Sequence, residues 1–247
     1  MKAKSILIIC DNEVIRPGVE EIIHSEITQN PDAHFTVMES YEKFSGKESP
    51  GLDLKKEEAV KFIIKNFDLI ISAHARQIFP AALFNKIPCF NLHPGFNPLA
   101  RGWYPHVFSI IKKIPAGATL HVINGEIDNG PIIDRQEVAI SEEDTSETLY
   151  NRILKTELNI LKDNLNTLIN GTYKTWKPAE KSSLPFLRKD FKDLCKLDLK
   201  ESGTFEEFYD RLRATTHGEF RNAYFLNSKG EKVYVSIKIK KDEQTAD

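Results

Sequence analysis

Residues 5–10, Ser-Ile-Leu-Ile-Ile-Cys, form an unbroken apolar run. That is the pattern of a strand covered on both faces, as in a parallel sheet. Asp11-Asn12 ends the run, and Ile15, Val19, Ile22, Ile23 and Ile27 then recur at helical spacing as far as Asn30-Pro31. Residues 35–38 suit a second strand. Residues 40–54 hold few apolar positions but contain Gly46, Pro50 and Gly51, so they read as a mobile connection. Val60, Phe62, Ile63 and Ile64 mark the next helix, and residues 67–72 and 88–93 two more strands, the latter stopped by Pro94-Gly95. Helix and strand thus alternate through the first half. The fold class expected is α/β: a doubly wound, mostly parallel, Rossmann-like sheet.

The second half continues the pattern and then changes it. A helix is expected from Pro105, followed by strands at 117–123 and 132–138. Asp144 with Glu147 reads as a capping pair opening a long helix. Its stripe is Leu149, Ile153, Ile160, Leu161, Leu165 and Leu168, with Gly171 as terminator. Composition shifts after Trp176-Lys177-Pro178, which sets a boundary between residues 1–176 and a small C-terminal region, 177–247. There Thr204 and Glu207 form a capping box, and 223–226 with 232–237 read as a β-hairpin. Val233, Val235 and Ile237 share one hairpin face. An isolated hairpin is marginal in water, so that face is expected against the main domain or a second subunit. Residues 242–247 read as a frayed tail.

Composition narrows the classes. A formal net charge of −2 over 247 residues argues against a nucleic-acid partner, which would want a basic stripe. No apolar run reaches membrane-span length, and Asp11-Asn12-Glu13 cuts the first one too early for a signal peptide. Three scattered cysteines without a CxxC spacing indicate neither a disulfide framework nor a zinc knuckle, and a cytoplasmic location is expected.

The chemistry gathers around Asn91-Leu92-His93-Pro94-Gly95. Side chains alternate along a strand, so Asn91 and His93 share a face at its carboxyl end, where open α/β sheets bind ligands. A lone histidine is more often structural, but this position and its amide neighbour favour a site. Asp128, in the turn-rich Asn124-Gly125-Glu126-Ile127-Asp128-Asn129-Gly130-Pro131, is either a turn former or a carboxylate orienting His93. The strand before it is apolar enough for the sheet interior, and its loop is expected at the ligand rim. His121 reads as a supporting histidine. A zinc site from His93, His121 and Asp128 is conceivable by ligand type, yet no short ligand spacing supports it. In Arg101-Gly102-Trp103-Tyr104-Pro105 the guanidinium suits a phosphate oxygen and an aromatic ring a base; the plainer reading is packing and a solvated cation. Residues 72–78 share the rim, and Asn12 serves there as a ligand contact or equally as a turn or cap. There is no GxGxxG after the first strand and no P-loop.

Taken together, Asn91-Leu92-His93-Pro94-Gly95 with Arg101-Gly102, Gly117-Ala118-Thr119-Leu120-His121 and Asp128-Asn129-Gly130-Pro131-Ile132-Ile133 resemble the folate-dependent formyltransferases. Gly95-Phe96-Asn97-Pro98 and residues 101–105 are most similar to the sugar-nucleotide branch, in particular that acting on dTDP-4-amino-4,6-dideoxyglucose. The resemblance implies formyl transfer from 10-formyltetrahydrofolate to a dTDP-sugar amine, without a metal, for surface polysaccharide or O-antigen synthesis. It assigns catalysis to Asn91, His93 and Asp128. It places the pterin against Arg76, Gln77, Ile78, Gly125, Glu126 and Ile127, and the acceptor against Asn12, Arg101, Trp103 and Tyr104. It also implies a homodimer through the C-terminal region. Gly95 departs from the serine of many relatives, as the sugar branch often does, which argues against the purine-biosynthetic relative. A 10-formyltetrahydrofolate hydrolase and a non-catalytic folate or nucleotide-sugar binding module stand as rivals. Formylation of methionyl-tRNA is disfavoured by charge.

Overall fold

The computed structural model describes residues 3–40 and 51–241. In chain order the first half comprises β1 (Lys4–Cys10), α1 (Arg16–Gln29), β2 (Ala33–Met38), α2 (Glu57–Asn66), β3 (Leu69–Ala73), α3 (Ala81–Phe84) and β4 (Cys89–His93). Then follow α4 (Pro105–Lys112), β5 (Ala116–Val122), β6 (Ile132–Val138), α5 (Ser146–Asn170), α6 (Arg188–Cys195), α7 (Phe205–Thr215), β7 (Tyr224–Leu226) and β8 (Lys232–Tyr234).

One six-stranded sheet runs β2-β1-β3-β4-β5-β6. Its first four strands are parallel, whereas β5 runs against β4 and β6 against β5. Layering follows from alternation. Ile6, Ile8, Leu69, Ile71, Ala73, Phe90, Leu92, Ala118 and Leu120 turn to the face covered by α1, α4 and α5. Leu7, Ile9, Ile70 and Cys89 turn to the other, against α2 and α3. Burial on both faces is why β1 reads as a continuous apolar run.

Several expectations need correction. Ile27 lies 42 % exposed, so the helical stripe of α1 ends with Ile23. Within the connection expected to be mobile, positions 41–50 lie outside the described residues. Its later part is anchored: Leu52 bridges to Ser40, and Leu52 and Leu54 are buried. The cap of α5 falls one residue later than expected, on Thr145 with Thr148 as its reciprocal partner. Asp144 instead accepts from the Ser141 backbone and the Thr148 hydroxyl. The box at Thr204 and Glu207 forms as read from the sequence. The hairpin is shorter than expected, pairing Tyr224–Leu226 with Lys232–Tyr234. Helix α6 went unforeseen; Cys195 is its one buried residue, and eight residues offer too short a period to stand out.

Candidate active site

Strand β4 sets the geometry. Asn91 stands between Ser72 of β3 and His121 of β5, while His93 is level with Thr119. All five share the face that α2 and α3 cover only in part. Here an expectation fails in an informative way. Because β5 is antiparallel, its carboxyl end lies beside the start of β4, where Ile123 donates its N–H to the Cys89 carbonyl. The loop 124–131 therefore leaves from the far edge of the sheet, not from the rim. It returns across the face to bring Asp128 over Asn91. Gly130 permits this close approach, since a Cβ there would lie 1.6 Å from the Val122 carbonyl oxygen.

Asp128 is the centre of the arrangement. Its Oδ1 accepts from the Asn91 amide at 3.1 Å, and its Oδ2 accepts the Gly102 N–H at 3.0 Å. Oδ2 also stands 3.5 Å from His93 Nδ1, and Oδ1 stands 3.6 Å from His121 Nε2. Burial opposes the charge of this carboxyl. The charge that His93 and His121 carry when protonated, together with the Gly102 N–H, nevertheless holds it well below the usual carboxylate range. Asp128 itself takes a left-handed backbone, φ 46°, a conformation that an aspartate tolerates better than most residues.

Partners fix where the protons sit. His93 Nε2 is 2.9 Å from the Ala100 carbonyl, an acceptor only, so Nε2 carries a proton. In the neutral ring Nδ1 is then the basic nitrogen, and it faces Asp128. Burial pushes the His93 pKa down, with the Asp128 charge and the Ala100 carbonyl pulling the other way. A proton arriving at Nδ1 would meet a carboxylate already in place. His121 likewise gives Nδ1–H to its neighbouring Val122 carbonyl at 3.0 Å, leaving Nε2 to accept from Asn91 at 3.3 Å. Both Asn91 amide hydrogens are thus engaged. The expectation of a carboxamide standing ready for an oxyanion must be amended: one of these bonds has to open first.

Other expected contacts are placed differently. Arg101 is buried, and its guanidinium donates to the Ile127 carbonyl, the Ser182 hydroxyl and the Ser183 carbonyl. It holds the Asp128 loop against the chain beyond residue 176. Trp103 packs under the Arg188 guanidinium, 3.7 Å from the ring centre, and Tyr104 stacks on Phe191 at 4.1 Å. Gln77 uses its carboxamide on the Leu54 N–H and the Leu52 carbonyl, anchoring that segment. The Arg76 N–H donates to Asp11. Asn12 shapes the turn ahead of α1, its Oδ1 accepting from the Val14 N–H. Ile78 and Ile127 remain exposed at 75 % and 44 %. Glu126 and Gly125 lie in the exposed turn, where Gly125 has φ 91°. Among the described residues, no group of three or more His, Cys, Asp or Glu is arranged to hold a metal ion.

Sequence reasoning missed the Gly102 N–H and the Ala100 carbonyl, because backbone groups leave no residue signature. What remains is an imidazole nitrogen backed by a carboxylate, with a carboxamide beside it. Such a set can accept a proton, hold the resulting charge and, once an Asn91 N–H is released, donate to a developing oxyanion.

Comparison with known proteins agrees with this chemistry. A family model described as formyl transferase matches residues 29–165, and one described as N-formyltransferase dimerization C-terminal domain matches residues 190–241. A dTDP-4-amino-4,6-dideoxyglucose formyltransferase of Mycobacterium bovis is 43 % identical over 186 residues, covering 75 % of this chain and 79 % of that protein. The crystal structure of a sugar N-formyltransferase from Shewanella superposes with TM-score 0.91 at 37 % identity, covering 97 % of this chain and 99 % of that one. A 4-N formyltransferase from Francisella tularensis gives 0.87 at 34 %, over 98 % and 100 %.

Proposed function

The chain belongs to the formyl transferase family, and from that premise we propose that it transfers a formyl group from 10-formyltetrahydrofolate to the primary amine of a dTDP-linked amino-dideoxy sugar. The acceptor favoured is dTDP-4-amino-4,6-dideoxyglucose, which the Mycobacterium bovis relative is named for. The observation that carries the reading is the meeting of Asn91, His93 and Asp128, from β4 and a distant loop, around one basic nitrogen.

The donor supplies an electrophilic formyl carbon. Ile78 and Ile127 offer exposed hydrocarbon suited to the face of a flat heterocycle. As the acceptor nitrogen bonds to the formyl carbon, His93 takes the amine proton at Nδ1, and Asp128 holds the imidazolium so formed. Asn91 releases one hydrogen from His121 or Asp128 and donates it to the developing oxyanion. His93 then passes the proton to folate N10 as the old carbon–nitrogen bond breaks, so protons balance.

We assign residues 1–176 as the catalytic domain and 177–247 as a dimerising region, the two matched segments falling on either side of that boundary. Val233 is 37 % exposed with Val235 and Ile237 half-buried, which supports a homodimer across this face. The product would serve surface polysaccharide or O-antigen synthesis, in the cytoplasm.

Mass spectrometry of a panel of amino-deoxy dTDP- and GDP-sugars, incubated with protein and 10-formyltetrahydrofolate, tests the reading. Mass gain on the dTDP-4-amino sugar is expected. Formate release that is rapid and indifferent to any sugar would instead mean a hydrolase.

A further inference from the structure

His93 and Asp128 are each steadied by a backbone group of one loop. The Ala100 carbonyl accepts from His93 Nε2, and the Gly102 N–H donates to Asp128 Oδ2. Residues 98–103 lie in no helix or named strand, so no ladder of their own sets where these groups point. A supporting shell has to do it.

That shell is the chain 182–186, just ahead of α6. Phe186 brackets Gly102: its N–H donates to the Arg101 carbonyl, and its own carbonyl accepts from the Trp103 N–H, each at 2.9 Å. The Arg101 carbonyl and the Gly102 N–H belong to one trans peptide plane and point in opposite directions. Tying the first to Phe186 therefore turns the second towards Asp128. Gly102 makes the approach possible, with φ 83° and a Cβ position only 2.4 Å from the Phe186 carbonyl oxygen. The Phe186 ring is itself buried and stacked on Phe108 of α4, 4.1 Å between centres.

Ser183 acts one step earlier in the loop. Its hydroxyl donates to the carbonyls of Pro98 and Leu99 at 3.1 and 3.0 Å, and its N–H also donates to Pro98. These are the two residues before Ala100. The Ser182 hydroxyl meanwhile donates to Asn129 Oδ1, beside Asp128. We propose that Ser183 and Phe186 are positioning residues for the catalytic pair, setting the Ala100 carbonyl against His93 and the Gly102 N–H against Asp128. Neither touches a reacting atom.

Loosening this hold has a sign. Burial lowers the His93 pKa, and a charged His121 lowers it too; the Asp128 charge, the Ala100 carbonyl and Glu157 raise it. Freeing the loop weakens the Asp128 and Ala100 influences, so the His93 pKa should fall with no titratable group replaced.

The test follows the His93 ring by NMR against pH in the ligand-free protein, beside steady-state kinetics and melting curves. Wild type, Ser183→Ala, Ser183→Thr and Leu184→Ala are compared, Leu184 being 88 % exposed and serving as control. Ser183→Ala should lower the His93 pKa, move the acid limb of kcat/KM the same way, and cut kcat on the order of tenfold with both KM values kept. Ser183→Thr, which retains the hydroxyl, should restore all three, and Leu184→Ala should match wild type. If Ser183→Ala does not fold, Phe186→Leu takes its place, with the same shifts expected from losing the ring stack. A variant that melts earlier while His93 titrates as in wild type overturns the proposal, as does a loss that Ser183→Thr fails to restore. The kinetic arm rests on the transferase reading, whereas the NMR arm needs no substrate. Wild type formylating no amino sugar would sink that reading and leave the His93 titration to decide this one.

Discussion

A methyl group on Gly95 would sit 2.4 Å from His93 Nε2 and 2.1 Å from the Ala100 carbonyl oxygen that this nitrogen donates to. The missing side chain is therefore what lets the loop close on the imidazole and fix which nitrogen is basic. Gly95→Ala should push the ring off Ala100 and lower kcat by about 10²-fold, the scale of losing a positioned base. Steady-state kinetics with a melting curve decide it; wild-type kcat in the variant would contradict this account.

His93 acts as a base only while neutral, and burial lowers its pKa. Activity should thus persist below the ordinary histidine range and fall only in more acid solution. The Asp128 charge raises that pKa, so Asp128→Asn should move the acid limb of kcat/KM to still lower pH. The rate at the optimum should drop by at least ~10²-fold. A limb that shifts upward would show that another group titrates.

Arg101 ties Ile127, beside Asp128, to Ser182 and Ser183. Arg101→Ala should lower the melting temperature and kcat together, because buried carbonyls lose their donor at roughly 1–3 kcal/mol. A phosphate contact predicts the reverse: an elevated KM for the nucleotide sugar with kcat and stability kept. The split between the two parameters settles the role.

His106 is buried and stays neutral, its pKa pushed down to about 3 by burial and by its histidine neighbours. In the unfolded chain it takes a proton near its ordinary value of 6.5. Between those values the unfolded state binds the extra proton, so stability falls with acidification by about 1.4 kcal/mol per pH unit from this group. His106→Phe should start less stable, having lost the bond to Ser146, yet show a shallower decline. Urea unfolding at several pH values measures both, and parallel curves would refute it.

Much of this architecture was written in periodicity. The apolar run of β1 and the stripe of α5 announce themselves because burial on two faces or one leaves a regular trace. Asn91 and His93 were legible for the same reason, two positions apart on a strand that Pro94-Gly95 stops. Strand direction was not legible: nothing in Gly117-Ala118-Thr119-Leu120-His121 says that β5 runs against β4. The roles of Arg101 and Gln77 were hidden because their partners are mostly backbone groups from distant segments.

The reversal of β5 has one more consequence. The base and the acid that steadies it reach each other from opposite ends of adjoining strands, so their separation is a property of the seam between β4 and β5. Sliding one strand along the other would retune the pair while leaving the parallel half of the sheet as it is. Variants selected for altered rate need not touch either residue; substitutions along that seam are where such tuning would accumulate.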